Sequence, residues 1–153
     1  PPNQVGELVF RSPAVVSGYY NRPQATAEAF HDGWFSSGDM GRIDEDGFLF
    51  LMGRKKEIIN IAGKEIFPLD IEEALLANPR IAEVAAAGIP GKIGAGALKV
   101  AIVLKKGSKA TSDEIVDFCQ QHTGLVPEEV EFRDSLPRTP SGKVRRAALK
   151  ELA

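Results

Sequence analysis

Apolar and polar positions alternate over 57–61 and the extended pattern resumes over 65–67, with Gly63 between them free of a Cβ, which predicts a short β-hairpin. Pro68 then stands where a helix would begin, because its missing N–H is one of the donors a first turn leaves unpaired anyway. Ile71, Ala74 and Leu75 follow at helical spacing, and Pro79 marks the stop. Two apolar runs, 81–89 and 98–104, and the stretch Glu129–Phe132 read as three strands. A helix is predicted from Thr111 or Ser112, with Glu114 placed as in a capping box and Ile115, Phe118 and Cys119 on one face. A basic closing helix is expected over 144–152. The first third of the chain reads differently, as strands at 7–10, 15–16 and 48–51, a hairpin signal at Asp46-Gly47, and one helical patch over 23–30. The fold class this predicts is α/β (α+β): a small domain with a short hairpin and a sheet of about three strands covered by helices, preceded by a β-rich segment.

Composition narrows the function classes more than it identifies one. With 153 residues and 43% hydrophobic content the chain is long enough to bury a core. Its net charge of −2, without an aromatic platform inside a basic stripe, argues against nucleic-acid binding. The single Cys119 cannot form a disulfide within the chain and suits a reducing, cytoplasmic compartment. No apolar stretch approaches a membrane span. His31 and His122 have no second His or Cys at ligand spacing, so no metal site is expected.

Candidate chemistry concentrates around 53–72. Arg54, Lys55 and Lys56 put three cations in a row ahead of the hairpin. Read on its own, that run is a solvated basic turn. It is flanked by two further segments: Gly33-Trp34-Phe35-Ser36-Ser37-Gly38-Asp39 upstream, and Leu136-Pro137-Arg138-Thr139-Pro140-Ser141-Gly142-Lys143-Val144-Arg145-Arg146 downstream. In order and spacing the three together resemble the adenylate-forming superfamily of acyl- and aryl-CoA ligases, peptide-synthetase adenylation domains and beetle luciferases.

The resemblance covers nearly the whole chain and implies a division of it. Residues 1–53 correspond to the β-rich end of a large N-terminal domain, 54–56 to a hinge, and 57–153 to a small mobile C-terminal domain. Family members are several times longer, so the chain is expected to be a C-terminal fragment, inactive alone, whose main partner is the missing N-terminal domain. The family's Gly/Ser/Thr-rich phosphate loop has no counterpart here. Gly94-Ala95-Gly96, the nearest glycine cluster, lacks hydroxyl residues and a following Lys.

Residue roles follow from the same resemblance. Asp39 matches the carboxylate that accepts hydrogen bonds from ribose hydroxyls, and Arg54 matches an arginine that holds ribose or phosphate in fixed geometry. Lys56 matches the hinge position. Lys143 matches the lysine placed over the α-phosphate and the acid carboxylate during adenylation. Gly63 matches the glycine past which the pantetheine arm travels in the second half-reaction, and it is also a plain hairpin glycine. ATP, Mg²⁺ and CoA are the implied cofactors of a full-length enzyme, with none held tightly by the fragment. A carboxylic acid and CoA are the implied substrates.

Phe67-Pro68 ahead of Asp70-Ile71-Glu72 resembles the acid–CoA ligases, and Asn60, where luciferases carry a functional lysine, argues against light production. The chain departs from many relatives at Gly124-Leu125-Val126-Pro127, where an aromatic-Lys-x-Pro segment is common, and in lacking an acid after Gly96. The expected function is thus the C-terminal part of an ATP-dependent acid–CoA ligase that works through an acyl-adenylate and a domain rotation. Two alternatives stay open: an adenylation domain loading a carrier-protein pantetheine thiol, and a non-catalytic nucleotide- or protein-binding module.

Overall fold

A computed structural model of the chain describes residues 1–91 and 96–151. Gly94 and Ala95 of the glycine cluster, and Leu152 at the end of the expected closing helix, lie outside the described residues. The chain divides into two units, Pro1–Lys56 and Glu57–Ala153.

The first unit is organised on one strand. β1 (Gly6–Phe10), β2 (Phe30–His31) and β4 (Leu49–Arg54) all pair antiparallel with the ten-residue β3 (Trp34–Ile43). Two turns set this topology. Asp32 and Gly33, with φ of +50° and +79°, form the two-residue loop between β2 and β3. Asp44 Oδ1 accepts from the backbone N–H groups of Asp46 (3.1 Å) and Phe48 (2.8 Å), closing the turn that the Asp46-Gly47 pair predicts. At Gly41, the one fully buried residue of this unit, a Cβ would stand 2.8 Å from Phe50 O and 3.1 Å from the Leu8 side chain, so glycine lets β1 and β4 close on both sides of β3.

Helix α1 (Pro23–Ala29) ends one residue earlier than the sequence predicts, because Phe30 enters β2. The strand expected at 15–16 is not formed. Pro13 sits in a turn in which Val15 N–H donates to Ser12 O (3.0 Å) and Ala14 N–H donates to Ser12 Oγ (3.2 Å).

The second unit begins in a 3₁₀ turn, Lys55–Glu57 at its junction, so the hairpin starts later than the alternation predicts. Its strands are β5 (Ile59–Ile61) and β6 (Lys64–Ile66), joined through Ala62 and Gly63 at φ of +49° and +80°. Helix α2 (Pro68–Leu76) follows, with its proline in the first turn. Then come β7 (Ile81–Pro90) and β8 (Gly96–Leu104) as an antiparallel pair. Helix α3 (Ser112–Thr123) carries the expected capping box, with Thr111 and Glu114 bonding each other's backbone. It leads into β9 (Glu129–Phe132), which adds parallel to β8.

Both faces of this three-stranded sheet are covered, which is why β7 and β8 read as apolar runs and not as alternation. On one face Val100 and Ile102 pack with Leu75 of α2 and Ile115 of α3. On the other, Ala85, Ala101 and Val103 pack with Leu136 and Leu149 from the C-terminal segment. That segment corrects the sequence expectation. The helix over 144–152 is reduced to α4 (Ala147–Lys150), because Val144 bridges to Arg138 and Arg145 N–H donates to Pro137 O (2.8 Å), holding 144–145 extended. No helix among the described residues is long and apolar enough to cross a membrane.

Candidate functional site

Each unit carries its own set of candidate residues. In Pro1–Lys56, the register of β3 and β4 sets Asp39 directly opposite Arg54. Arg54 Nε approaches Asp39 Oδ1 to 3.1 Å, and both side chains remain accessible, 48% and 33% exposed. The backbone around Asp39 is fixed locally: its N–H donates to Ser37 Oγ (3.0 Å), and that hydroxyl donates to Leu8 O (2.7 Å). Gly38, at φ of +72°, leaves room for the guanidinium, since a Cβ there would stand 3.4 Å from Arg54 Nη2. The pair is thus a rigid carboxylate beside a planar cation, open to solvent, with hydrogen-bond acceptors and donors side by side.

Lys55, next in sequence, reaches Glu7 Oε2 at 2.7 Å on β1. Its hydrogen bond holds the Glu7 carboxyl below the usual glutamate range. Lys56 is exposed.

In Glu57–Ala153, Gly63 and Lys143 occupy separate turns. Gly63 is exposed at the hairpin tip, with no atom within 4 Å of where a Cβ would stand. Lys143 is exposed at the end of a turn braced from inside. Thr139 N–H donates to Lys143 O (2.8 Å), Lys143 N–H donates to Thr139 Oγ1 (3.1 Å), and Gly142, at φ of +83°, closes the loop. Arg138 donates to Gly142 O through Nη1 (2.8 Å) and pairs through Nη2 with Glu83 of β7. The arrangement fixes the backbone that carries the ammonium while leaving the side chain in water.

Further charged groups brace the C-terminal unit around these turns. Arg146 makes a bidentate contact with Glu72 of α2, Nε to Oε1 at 2.9 Å and Nη2 to Oε2 at 2.7 Å, and donates from Nη1 to Glu57 at 3.0 Å. The Glu72 hydrogen bonds, opposed by partial burial, raise the Arg146 pKa further above its already high ordinary value. On β8, the Lys99 side chain is fully buried and lies 2.6 Å from Glu129 and 3.1 Å from Glu131. The only signal for Arg138 and Arg146 in the sequence is their place in the basic run around Lys143, and for Glu72 its place in the Asp70-Ile71-Glu72 segment; Glu57 and Glu83 give none. Among the described residues no group of three His, Cys, Asp or Glu is placed to hold a metal ion.

Residues 70–143 match the family model of the AMP-binding enzyme C-terminal domain. The chain is 41% identical over 152 residues to a long-chain-fatty-acid–CoA ligase of Bacillus subtilis (strain 168), an alignment that takes in 98% of this chain and 27% of that protein. Among solved structures, the amide bond synthetase McbA from Marinactinospora thermotolerans matches with a TM-score of 0.91 at 33% identity, over 99% of this chain and 31% of that one. The o-succinylbenzoate CoA synthetase of Bacillus subtilis, solved with its acyl-adenylate intermediate, matches with a TM-score of 0.89 at 30% identity, over 100% of this chain and 32% of that one. The chain therefore spans only about 27% of the length of that fatty-acid–CoA ligase.

Proposed function

The chain belongs to the adenylate-forming enzyme family, and from that premise we propose that it forms the C-terminal portion of an ATP-dependent ligase joining a carboxylic acid to the thiol of CoA. Activity is assigned to an enzyme of the relatives' length. In the first half-reaction the acid carboxylate attacks the α-phosphorus of ATP and pyrophosphate leaves; in the second, the thiol attacks the acyl carbon and AMP leaves. The observation that carries the reading is Lys143, exposed on a braced turn inside the segment that matches the family.

The Lys143 ammonium stabilises negative charge gathering on the α-phosphate and carboxylate oxygens, an effect of roughly 3 kcal/mol for comparable electrostatic donors. Asp39 accepts from the ribose hydroxyls, and its pairing with Arg54 holds both groups in place for the nucleotide. Mg²⁺, which would travel with the ATP phosphates, supplies charge neutralisation when bound.

Between the half-reactions, 57–153 rotates about 54–56 relative to 1–53 and to the rest of the N-terminal domain, with Lys56 at the pivot. The rotation exchanges Lys143 for the hairpin tip, where Gly63 offers no side chain to block the pantetheine arm. Phe67-Pro68 and the CoA ligases among the relatives support CoA as the thiol. An amine acceptor is the second reading, since one matched structure is an amide bond synthetase.

Acid-dependent exchange of pyrophosphate into ATP by the full-length enzyme tests the proposal. Exchange that requires a carboxylic acid and collapses in Lys143→Ala is expected, followed by AMP release on adding CoA. No acid-dependent exchange with any of a panel of fatty and aryl acids would overturn it, and turnover with amines but not CoA would favour the second reading.

A further inference from the structure

Arg146 lies three residues beyond Lys143, and its three hydrogen bonds reach two places distant in sequence. The pair on Glu72 anchors it in the core, because Glu72 is itself buried and its Oε1 also accepts from Ala86 N–H of β7 at 2.9 Å. The third bond goes to Glu57, the first residue of the C-terminal unit, 89 positions away in sequence. With side chains only 21% and 25% exposed, this Arg146–Glu57 pair is screened less than a surface ion pair. The other end of the Lys143 turn is held by Arg138 between Gly142 O and Glu83. On the far side of Lys56 the picture is mirrored: Lys55 is tied to Glu7, inside the N-terminal unit. The residue before Lys56 is thus bonded into one unit and the residue after it into the other. Lys56 lies between them in a single 3₁₀ turn, a conformation frequent in connectors.

We propose that the Glu57–Arg146 pair is a brace making Arg146 a positioning residue for Lys143: it fixes the catalytic turn to the first residue after the pivot, so that torsion at Lys56 moves Lys143 as part of one rigid lever. The functional consequence rests on the ligase reading; the brace itself does not. Arg146 touches no reacting atom in this account. A rotating unit whose catalytic turn were tied only to its own sheet would convert part of each rotation into local bending. Tying the turn to the pivot residue removes that compliance.

Glu57→Ala is the informative variant, because Arg146 keeps both bonds to Glu72 and the core is untouched. In the 153-residue chain, amide hydrogen exchange over 139–146 is expected to accelerate about tenfold while β7 and β8 stay protected. Unchanged exchange over 139–146 would overturn the brace whatever the enzyme does. In the full-length ligase the same variant is expected to lower kcat of adenylation about tenfold with the KM for ATP within about twofold, and Glu57→Gln, which keeps an acceptor for Arg146, to restore most of the rate. An unaltered kcat, or a loss that Glu57→Gln does not relieve, would overturn the positioning role. Wild-type enzyme without any adenylation activity would instead overturn the ligase reading, with the exchange measurement still deciding the brace.

Discussion

Leu51 in the N-terminal unit is 56% exposed, as are its neighbours Leu49 at 50% and Phe48 at 68%, whereas Leu75, Val100, Ile102 and Ile115 in the C-terminal unit are fully buried. Every buried apolar side chain among the described residues belongs to Glu57–Ala153. The C-terminal unit covers both faces of its sheet and carries a core of its own. The N-terminal unit is a hydrogen-bonded sheet around β3, with its apolar side chains half-buried or exposed and its order maintained by ladders, turns, ring contacts and ion pairs. Within this chain the two units therefore hold their candidate residues differently, as the proposed function expects of a segment that packs against the rest of a longer N-terminal domain. Lys143 is positioned by a packed scaffold, while Asp39 and Arg54 are positioned by register within a sheet.

The largest effect that could break this comparison is a core truncation. Leu98→Ala, at a site 1% exposed, is expected to cost about 2–5 kcal/mol in urea unfolding of the chain. Leu51→Ala is expected to stay within about 0.5 kcal/mol. Similar losses at the two positions would show that the N-terminal unit has a core after all.

A smaller effect comes from acid. Burial pushes the Glu131 carboxyl up, but hydrogen bonds from Arg133 and Lys99 outweigh it and leave the group below its ordinary value. Glu7 is lowered by Lys55 at a more exposed pair. A carboxyl lowered in the folded state contributes stability that is complete above its unfolded pKa, near 4.3, and is lost as pH falls through the lower folded value. Lys99 works in the opposite sense. Burial lowers its pKa, but its bonds to Glu129 and Glu131 raise it overall, so its contribution is lost only as pH rises through that raised value. Acid unfolding of Glu131→Gln is therefore expected to be shallower than wild type below about pH 4.3, and that of Glu7→Gln nearly unchanged. A greater flattening in Glu7→Gln would reverse the ranking of the two units.

Much of the C-terminal unit is legible in the sequence, because its signals are local. Thr111 and Glu114 announce the start of α3 three residues apart, Pro68 opens α2, and Gly63 turns the hairpin. The central strand of the N-terminal unit is not legible in this way. β3 carries Ser36, Ser37, Gly38 and Asp39 in succession and Gly41 after Met40, with neither alternation nor an apolar run, and it is a strand because three others pair with it. The strand expected at 15–16 failed for the complementary reason: two valines favour extension, but Ser12 and Pro13 commit the backbone to a turn first. Basic composition suggests a closing helix over 144–152, but a hydrogen bond back to Pro137 and a bridge to Arg138 keep its first residues extended. Around the candidate site, Asp39, Arg54, Gly63 and Lys143 are candidates by motif alone. The bond from Arg146 to Glu72, across 74 residues, left no local trace.

In the proposed ligase, Lys143 serves one half-reaction and not the other. Single-turnover measurement of both half-reactions in the full-length Lys143→Ala enzyme tests this. Adenylate formation is expected to fall about a hundredfold or more, while thioester formation from supplied acyl-adenylate and CoA stays close to wild type. Equal loss in both half-reactions would contradict the exchange of Lys143 for the Gly63 hairpin.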